Sequence, residues 1–161
     1  MSFSSKVLDL PTIVIIHDAW HTPTHYSKLI DLLCAEGFEV ACPLLPSCSS
    51  EVNSTYSFND DVSLIYQLVF DLVSEGKSVI CVMHGYGGYI GTEILGELCS
   101  RQRAMTSQSG SVVHLVWISA VMPGKSVNMQ MAMGGEFPDY TPLQVWYSND
   151  HHLFIFECGR G

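Results

Sequence analysis

Apolar residues gather in four short runs along the chain, and longer stretches with a different spacing separate them. The runs are rich in β-branched residues and lack the polar alternation of a half-exposed strand, so each predicts a strand buried on both faces. They cover residues 12–17, 38–42, 79–83 and 112–118. Four strands of this kind predict a sheet that is buried at the centre of the molecule.

The stretches between these runs carry apolar residues at helical spacing. One predicted helix begins at Thr22 or Thr24 and ends near Gly37, and a second begins at the weak capping box 57–60 and ends at Gly76. A third follows Gly88 and runs to about Ser100. Strands that alternate with helices predict an α/β fold, a parallel sheet with helices on both faces. We expect the strand at residues 79–83 to be central, between those at 12–17 and 112–118.

The pattern shows neither an internal repeat nor a linker between two domains. Residues 1–122 are expected to form one core unit, since all four strand runs lie there. Over residues 123–161 the periodicity weakens, although 126–133 could form a Met-rich helix and 151–156 a strand without a fixed place. We expect that second part to be the start of a cap region and a divergent tail.

The composition and the net charge indicate which classes of binding partner are unfavourable. Of the 161 residues 47% are hydrophobic and 14% are charged, and the formal net charge of −9 disfavours nucleic acid and anionic membrane as partners. No apolar run reaches the ~18 residues of a membrane span. The six cysteines form no C-x-x-C pair and no secretory segment is recognised, so we expect mostly buried thiols and a cytoplasmic protein.

No cofactor or metal is expected. His17, His21 and His25 are four residues apart, which would suit ligands on a single helix. Here that spacing crosses a strand, a loop and a helix start, so the imidazoles are not expected to converge.

The most informative stretch is the glycine-rich break at residues 84–88. An apolar strand pattern ends at His84, three glycines (Gly85, Gly87 and Gly88) follow, and helical spacing begins at Tyr89. Glycine permits positive φ and close backbone approach. The stretch therefore predicts a strand, a sharp turn and a helix, with Gly85 at the apex in an unusual backbone conformation.

This layout, together with the other three strand runs, resembles the α/β-hydrolase superfamily over about residues 10–150. The branch it is most similar to contains fungal AB-hydrolase-1 proteins, akin to plant methylesterases and hydroxynitrile lyases. Members typically read HGAW after the first of these strands and HSYGG at the nucleophile elbow. This chain reads HDAW at residues 17–20 and HGYGG at residues 84–88.

The resemblance assigns roles to particular positions. Gly85 stands where the family carries its serine nucleophile, and the backbone N–H groups of Ala19 and Tyr86 would form the oxyanion hole. Asp18 places a carboxylate beside that hole. The pocket is expected to include His17, Asp18, Trp20 and His84, although His84 could instead be a structural histidine, and Trp20 and Tyr86 could pack in the core.

Relatives carry the acid and histidine of the triad on later segments, and neither His151 nor His152 fits that histidine in chain order. The resemblance therefore implies a family member without serine-hydrolase activity, which could bind a small apolar or ester- or ketone-type molecule. One alternative is a non-hydrolytic enzyme of fungal secondary metabolism that directs cyclisation or proton transfer. Another is a fragment that needs a partner, or that forms a homo-oligomer, through an open sheet edge at 112–118 unless residues 151–156 cover it.

Overall fold

The structure is a computed structural model that describes residues 10–49, 55–105, 107–120, 122 and 153–157, with only the backbone for residues 101 and 153–157. The strands are β1 (Thr12–Ile16), β2 (Val40–Ala41), β3 (Ser78–His84), β4 (Ser111–Ile118) and β5 (Leu153–Glu157). The helices are α1 (Ser27–Ala35), α2 (Phe58–Ser74), α3 (Gly87–Ile94) and α4 (Ser100–Ala104). Two short 3-10 helices span Pro23–Tyr26 and Pro46–Cys48.

The five strands form one sheet in the order β2-β1-β3-β4-β5. All neighbours among β1 to β4 are parallel, and β5 pairs antiparallel with β4. The predicted parallel sheet is therefore confirmed, with β3 at its centre between β1 and β4.

Helices lie on both faces because the chain reverses direction across the sheet. From β1 it moves outward through α1 to β2, and it then crosses back over β1 through α2 to β3. Right-handed crossovers in opposite directions place α1 and α2 on opposite faces. The step from β3 through α3 to β4 continues in the direction of the second crossover, so α3 shares the face of α2.

The main core lies between that face of the sheet and helices α2 and α3. Three α2 residues spaced four apart, Ile65, Val69 and Val73, are fully buried against β-strand side chains such as Cys81 and Met83. The start of α2 is fixed by the predicted capping box, in which the Asp60 carboxylate accepts the backbone N–H and the hydroxyl of Ser57 at 2.7 and 2.8 Å.

Two expectations about local structure are wrong. The elbow helix was expected to reach about Ser100, but α3 ends at Ile94 and α4 starts separately at Ser100. Gly96 lies between them, and glycine is a poor helix former. Of the five cysteines in the described ranges only Cys81 is buried, so most of these thiols are not core residues, although none of the five is in a disulfide.

Strand β5 occupies the edge that the sequence left open. Its backbone pairs with β4 from His114 opposite Glu157 to Ile118 opposite Leu153. The expected alternative, in which the tail folds back over this edge, is therefore what the structure shows. Residues 123–150, expected to begin a cap, lie outside the described residues. Among the described helices, none is long and apolar enough to cross a bilayer.

Candidate active site

The loops that follow β1 and β3 meet at the carboxyl edge of the sheet. Strand β3 ends at His84, Gly85 adopts φ of +51°, and α3 begins at Gly87. The predicted strand, sharp turn and helix, with Gly85 in an unusual conformation at the apex, are confirmed. This geometry brings residues 84–86 against residues 17–20 of the loop after β1.

Gly87 lets the start of α3 sit directly on β1. A Cβ at this position would lie 2.2 Å from the carbonyl oxygen of Ile16, a distance that no side chain tolerates. The absence of a side chain therefore sets how closely the N-terminus of α3 approaches the first strand. That approach determines where the amide of Tyr86 points.

The amides of Ala19 and Tyr86 converge on a single acceptor, the carboxylate of Asp18. Its Oδ1 accepts the N–H of Tyr86 at 2.6 Å and the N–H of Ala19 at 2.8 Å. A carboxylate is favourable there because backbone amides at a helix N-terminus stabilise negative charge. The two amides that resemblance assigned to the oxyanion hole thus do point to one place, and the chain's own carboxylate is in it.

The same carboxylate occupies the position of a side chain at residue 85. A Cβ built on Gly85 would lie 2.0 Å from Oδ1 and 2.5 Å from Oδ2 of Asp18. A serine at residue 85 and the Asp18 carboxylate in this position exclude each other. The two departures from the family pattern are therefore linked, because the Asp18 carboxylate fits in this position only when residue 85 has no side chain.

A second contact ties the loop after β1 to the elbow through Tyr26. Its hydroxyl accepts the backbone N–H of Asp18 at 3.1 Å and lies 2.7 Å from Nδ1 of His84. Burial lowers the pKa of His84 and His21 adds to that effect, while the Asp18 carboxylate opposes it.

His17 is held by the backbone on both sides of its ring. Nδ1 donates to the carbonyl of Asp18 at 2.8 Å, and Nε2 accepts the N–H of Leu45 at 3.1 Å. The side chain is fully buried, and burial lowers the pKa of His17. The contacts are those of a structural histidine, and the expected contribution of His17 to a pocket stays a prediction.

The aromatic residues beside the elbow lie in different environments. Trp20 is 77% exposed and has φ of +59°, so its ring projects from the loop into solvent. Tyr86 is half-buried and donates its hydroxyl to Asp61 at 2.8 Å. Burial and the bond to Asp61 raise the pKa of Tyr86.

Asp61 is a buried carboxylate that sequence reasoning overlooked. It accepts the hydroxyl of Tyr86 and both the N–H and the hydroxyl of Ser47, at 2.9 and 2.6 Å. Three donors satisfy the charge, and the network holds the elbow residue Tyr86 against α2. A signal was present, because Asp61 continues the four-residue spacing of Ile65, Val69 and Val73 and so lies on the buried face of α2.

The contact between Tyr26 and His84 has no signal in the sequence, because 58 residues separate the two and local spacing places Tyr26 only on the apolar face of a helix.

Within the part of the chain that the structure describes, no three His, Cys, Asp or Glu side chains are placed to hold a metal. His21 and His25 stack edge to face at 5.0 Å, while His17 bonds to backbone instead. His151 and His152 lie outside the described residues.

Comparison with known proteins finds curated proteins of similar sequence. The chain is 27% identical to alpha/beta hydrolase nvfD of Aspergillus novofumigatus over 135 residues, which are 84% of this chain and 51% of that protein. It is also 27% identical to probable hydrolase R7 of a Phoma species over 127 residues, 78% of this chain and 49% of the relative. The chain thus spans about half the length of the curated relatives it matches.

Solved structures share the fold. Tomato Methylketone Synthase I, complexed with 2-tridecanone, superposes with a TM-score of 0.57 at 20% identity, over 76% of this chain and 45% of that one. An extracellular alpha/beta-hydrolase from a Paenibacillus species gives 0.54 at 17% identity, over 71% and 43%. A model of the alpha/beta hydrolase family matches residues 13–157. The chain therefore belongs to the alpha/beta hydrolase family.

Proposed function

We propose that this family member does not carry out serine-dependent hydrolysis and that its elbow serves instead as a binding site for a small, largely apolar molecule. The observation that carries the proposal is the carboxylate of Asp18, which accepts both amides at the elbow and fills the space of the residue 85 side chain. The relatives are hydrolases by name. This chain departs from the family pattern HGAW and HSYGG at residues 18 and 85, where the chemistry would take place.

Serine hydrolysis needs an oxygen that attacks the substrate carbonyl and donors that stabilise the resulting oxyanion. Gly85 supplies no oxygen. The donors of Ala19 and Tyr86 are engaged by Asp18, whose negative charge also opposes the build-up of a second negative charge beside it. Both requirements fail at one point of the structure, so residual esterase activity from the oxyanion hole alone is not expected either.

A binding role is supported by what surrounds the turn. Tomato Methylketone Synthase I, which shares this fold, forms a complex with 2-tridecanone, a long-chain methyl ketone. In this chain Asp18, His84 and Tyr86 are all half-buried at the carboxyl edge of the sheet, where α/β proteins bind their ligands. The chain spans about half the length of its curated relatives, and the kind of ligand that it binds is part of this proposal.

The test is hydrolysis of an unactivated methyl ester by the purified 161-residue chain, followed by mass spectrometry after treatment with a fluorophosphonate probe. We expect no turnover above buffer and no labelled serine. An unactivated ester is required because exposed histidines hydrolyse activated nitrophenyl esters without an active site.

Stoichiometric fluorophosphonate labelling of one serine would overturn the proposal. So would ester turnover that the substitution Asp18→Ala abolishes, since it would place hydrolytic chemistry at the elbow despite Gly85. The same substitution of an exposed acid on α2, Asp71→Ala, controls for the loss of one negative charge.

A further inference from the structure

We propose that the polar group this site receives is a hydrogen-bond donor, best a protonated amine and more weakly a hydroxyl, and that Asp18 accepts it. This inverts the polarity of an oxyanion hole, which receives an acceptor. The inference rests on the binding role proposed above and specifies the chemistry of the ligand's polar end.

The first step concerns the donors that a carbonyl ligand would need. The N–H groups of Ala19 and Tyr86 are both bonded to Oδ1 of Asp18, at 2.8 and 2.6 Å. A charged acceptor forms stronger hydrogen bonds than a neutral carbonyl oxygen. A ketone or ester would therefore have to displace the carboxylate from both amides. Its neutral oxygen forms weaker hydrogen bonds than the carboxylate, so the displacement is unfavourable.

The second step concerns the acceptor capacity that remains. A carboxylate has about four lone-pair sites. Oδ1 of Asp18 takes the two amides, while Oδ2 makes no hydrogen bond to any residue in the described ranges. Asp18 is half-buried rather than enclosed, so a ligand can reach its side chain. The group that completes its hydrogen bonding is a donor.

The third step concerns charge. Within the described residues Asp18 forms no ion pair, whereas Lys77 pairs with Glu39 and Glu75 at the other end of the sheet, where β3 begins. The imidazoles of His17 and His84 do not compensate this charge, because burial lowers the pKa of both. A second carboxylate, that of Asp61, lies on the far side of the Tyr86 hydroxyl. A partly desolvated negative site of this kind favours a cation.

The experiment uses three seven-carbon probes that differ only at the second carbon: 2-heptanone, 2-heptanol and 2-aminoheptane. Each is titrated into the ¹⁵N-labelled 161-residue chain at pH 7, and the Kd is taken from the shifts of the Ala19 and Tyr86 amides. We expect the amine to bind at least about tenfold more tightly than the ketone, with the alcohol between them.

Two variants separate Asp18 from general charge attraction. Asp18→Asn keeps the shape of the side chain and an oxygen for the amides but removes the charge, and it should reduce the amine-to-ketone preference by about tenfold. Asp71→Asn makes the same change of charge on an exposed face of α2, ten residues and roughly 15 Å along the helix from Asp61, and should leave the preference unchanged.

Three results would overturn the inference: a ketone that binds as tightly as the amine, an Asp71→Asn variant that loses as much preference as Asp18→Asn, or an amine that moves neither amide. Failure here is distinct from failure of the proposed function. Equal binding of the ketone and the amine would overturn this inference but leave the binding role intact. The absence of ester hydrolysis is decided separately, by ester turnover and fluorophosphonate labelling.

Discussion

At the scale of single residues, positions 18 and 85 cannot be understood separately. Each looks like the loss of a family feature when it is read alone: a carboxylate in an anion site and a nucleophile replaced by glycine. The structure joins them, since the carboxylate lies where a residue 85 side chain would be, 2.0 Å from its Cβ. It also shows why the amides of the hole are not left without a partner.

Coupling between these residues can be measured by a double-mutant cycle in urea unfolding. Gly85→Ala should cost about 2–4 kcal/mol, because it adds a clash with Asp18 to the cost of a positive φ in a residue with a Cβ. Asp18→Ala removes the atoms involved in the clash but leaves two amides without their acceptor, at about 1–3 kcal/mol.

The double variant should be more stable than the sum of the two single effects predicts, by at least about 1 kcal/mol. Additive effects would mean that the two side-chain positions are independent, contrary to the geometry. Gly96→Ala is the matched control, since a Cβ there meets no atom within 4 Å and its effect should add to that of Asp18→Ala.

At the scale of elements, His17 connects the end of β1 to the segment before the second 3-10 helix through the amide of Leu45. That bond needs a neutral imidazole, and burial lowers the pKa of His17 below its ordinary value of 6.5. The unfolded chain then binds more protons than the folded chain as pH falls below 6.5. Stability therefore decreases from pH 6.5 downward until the folded pKa is passed.

We expect the free energy of unfolding of the chain to fall between pH 7.5 and pH 5, because protonation of His17 favours the unfolded chain. His17→Gln should lower stability at pH 7.5 and flatten this dependence. Urea unfolding at both pH values measures the difference. An equally steep dependence in His17→Gln would show that His17 titrates alike in both states.

The elements themselves could largely be predicted, because their causes are local. Runs of β-branched residues predicted β1, β3 and β4, and the capping box placed the start of α2 at residue 58. The elbow followed from the glycines. The site could be predicted only in part, since its decisive contacts join residues far apart in sequence: Asp18 to Tyr86 over 68 residues, Tyr26 to His84 over 58. Local periodicity carries no information about which distant side chains meet.

At the scale of the whole molecule, the sheet ends in a way that sequence patterns do not specify. The chain covers about half the length of its curated relatives, yet the edge of β4 is not open. Residues 153–157 pair with it in antiparallel register over five positions. An uncovered strand edge exposes a row of N–H and C=O groups that another chain can pair with. The tail should therefore control self-association.

The last prediction compares two shortened chains. One ends at residue 150 and lacks β5, and the other ends at residue 157 and keeps it. The first should sediment with a higher weight-average mass than the full chain, increasingly so at higher protein concentration, because the N–H and C=O groups of β4 then pair between molecules. The second should sediment like the full chain, since its sheet edge is unchanged. If both shortened chains sediment like the full chain, the pairing of β5 with β4 does not limit association, and the edge is protected by something other than the tail.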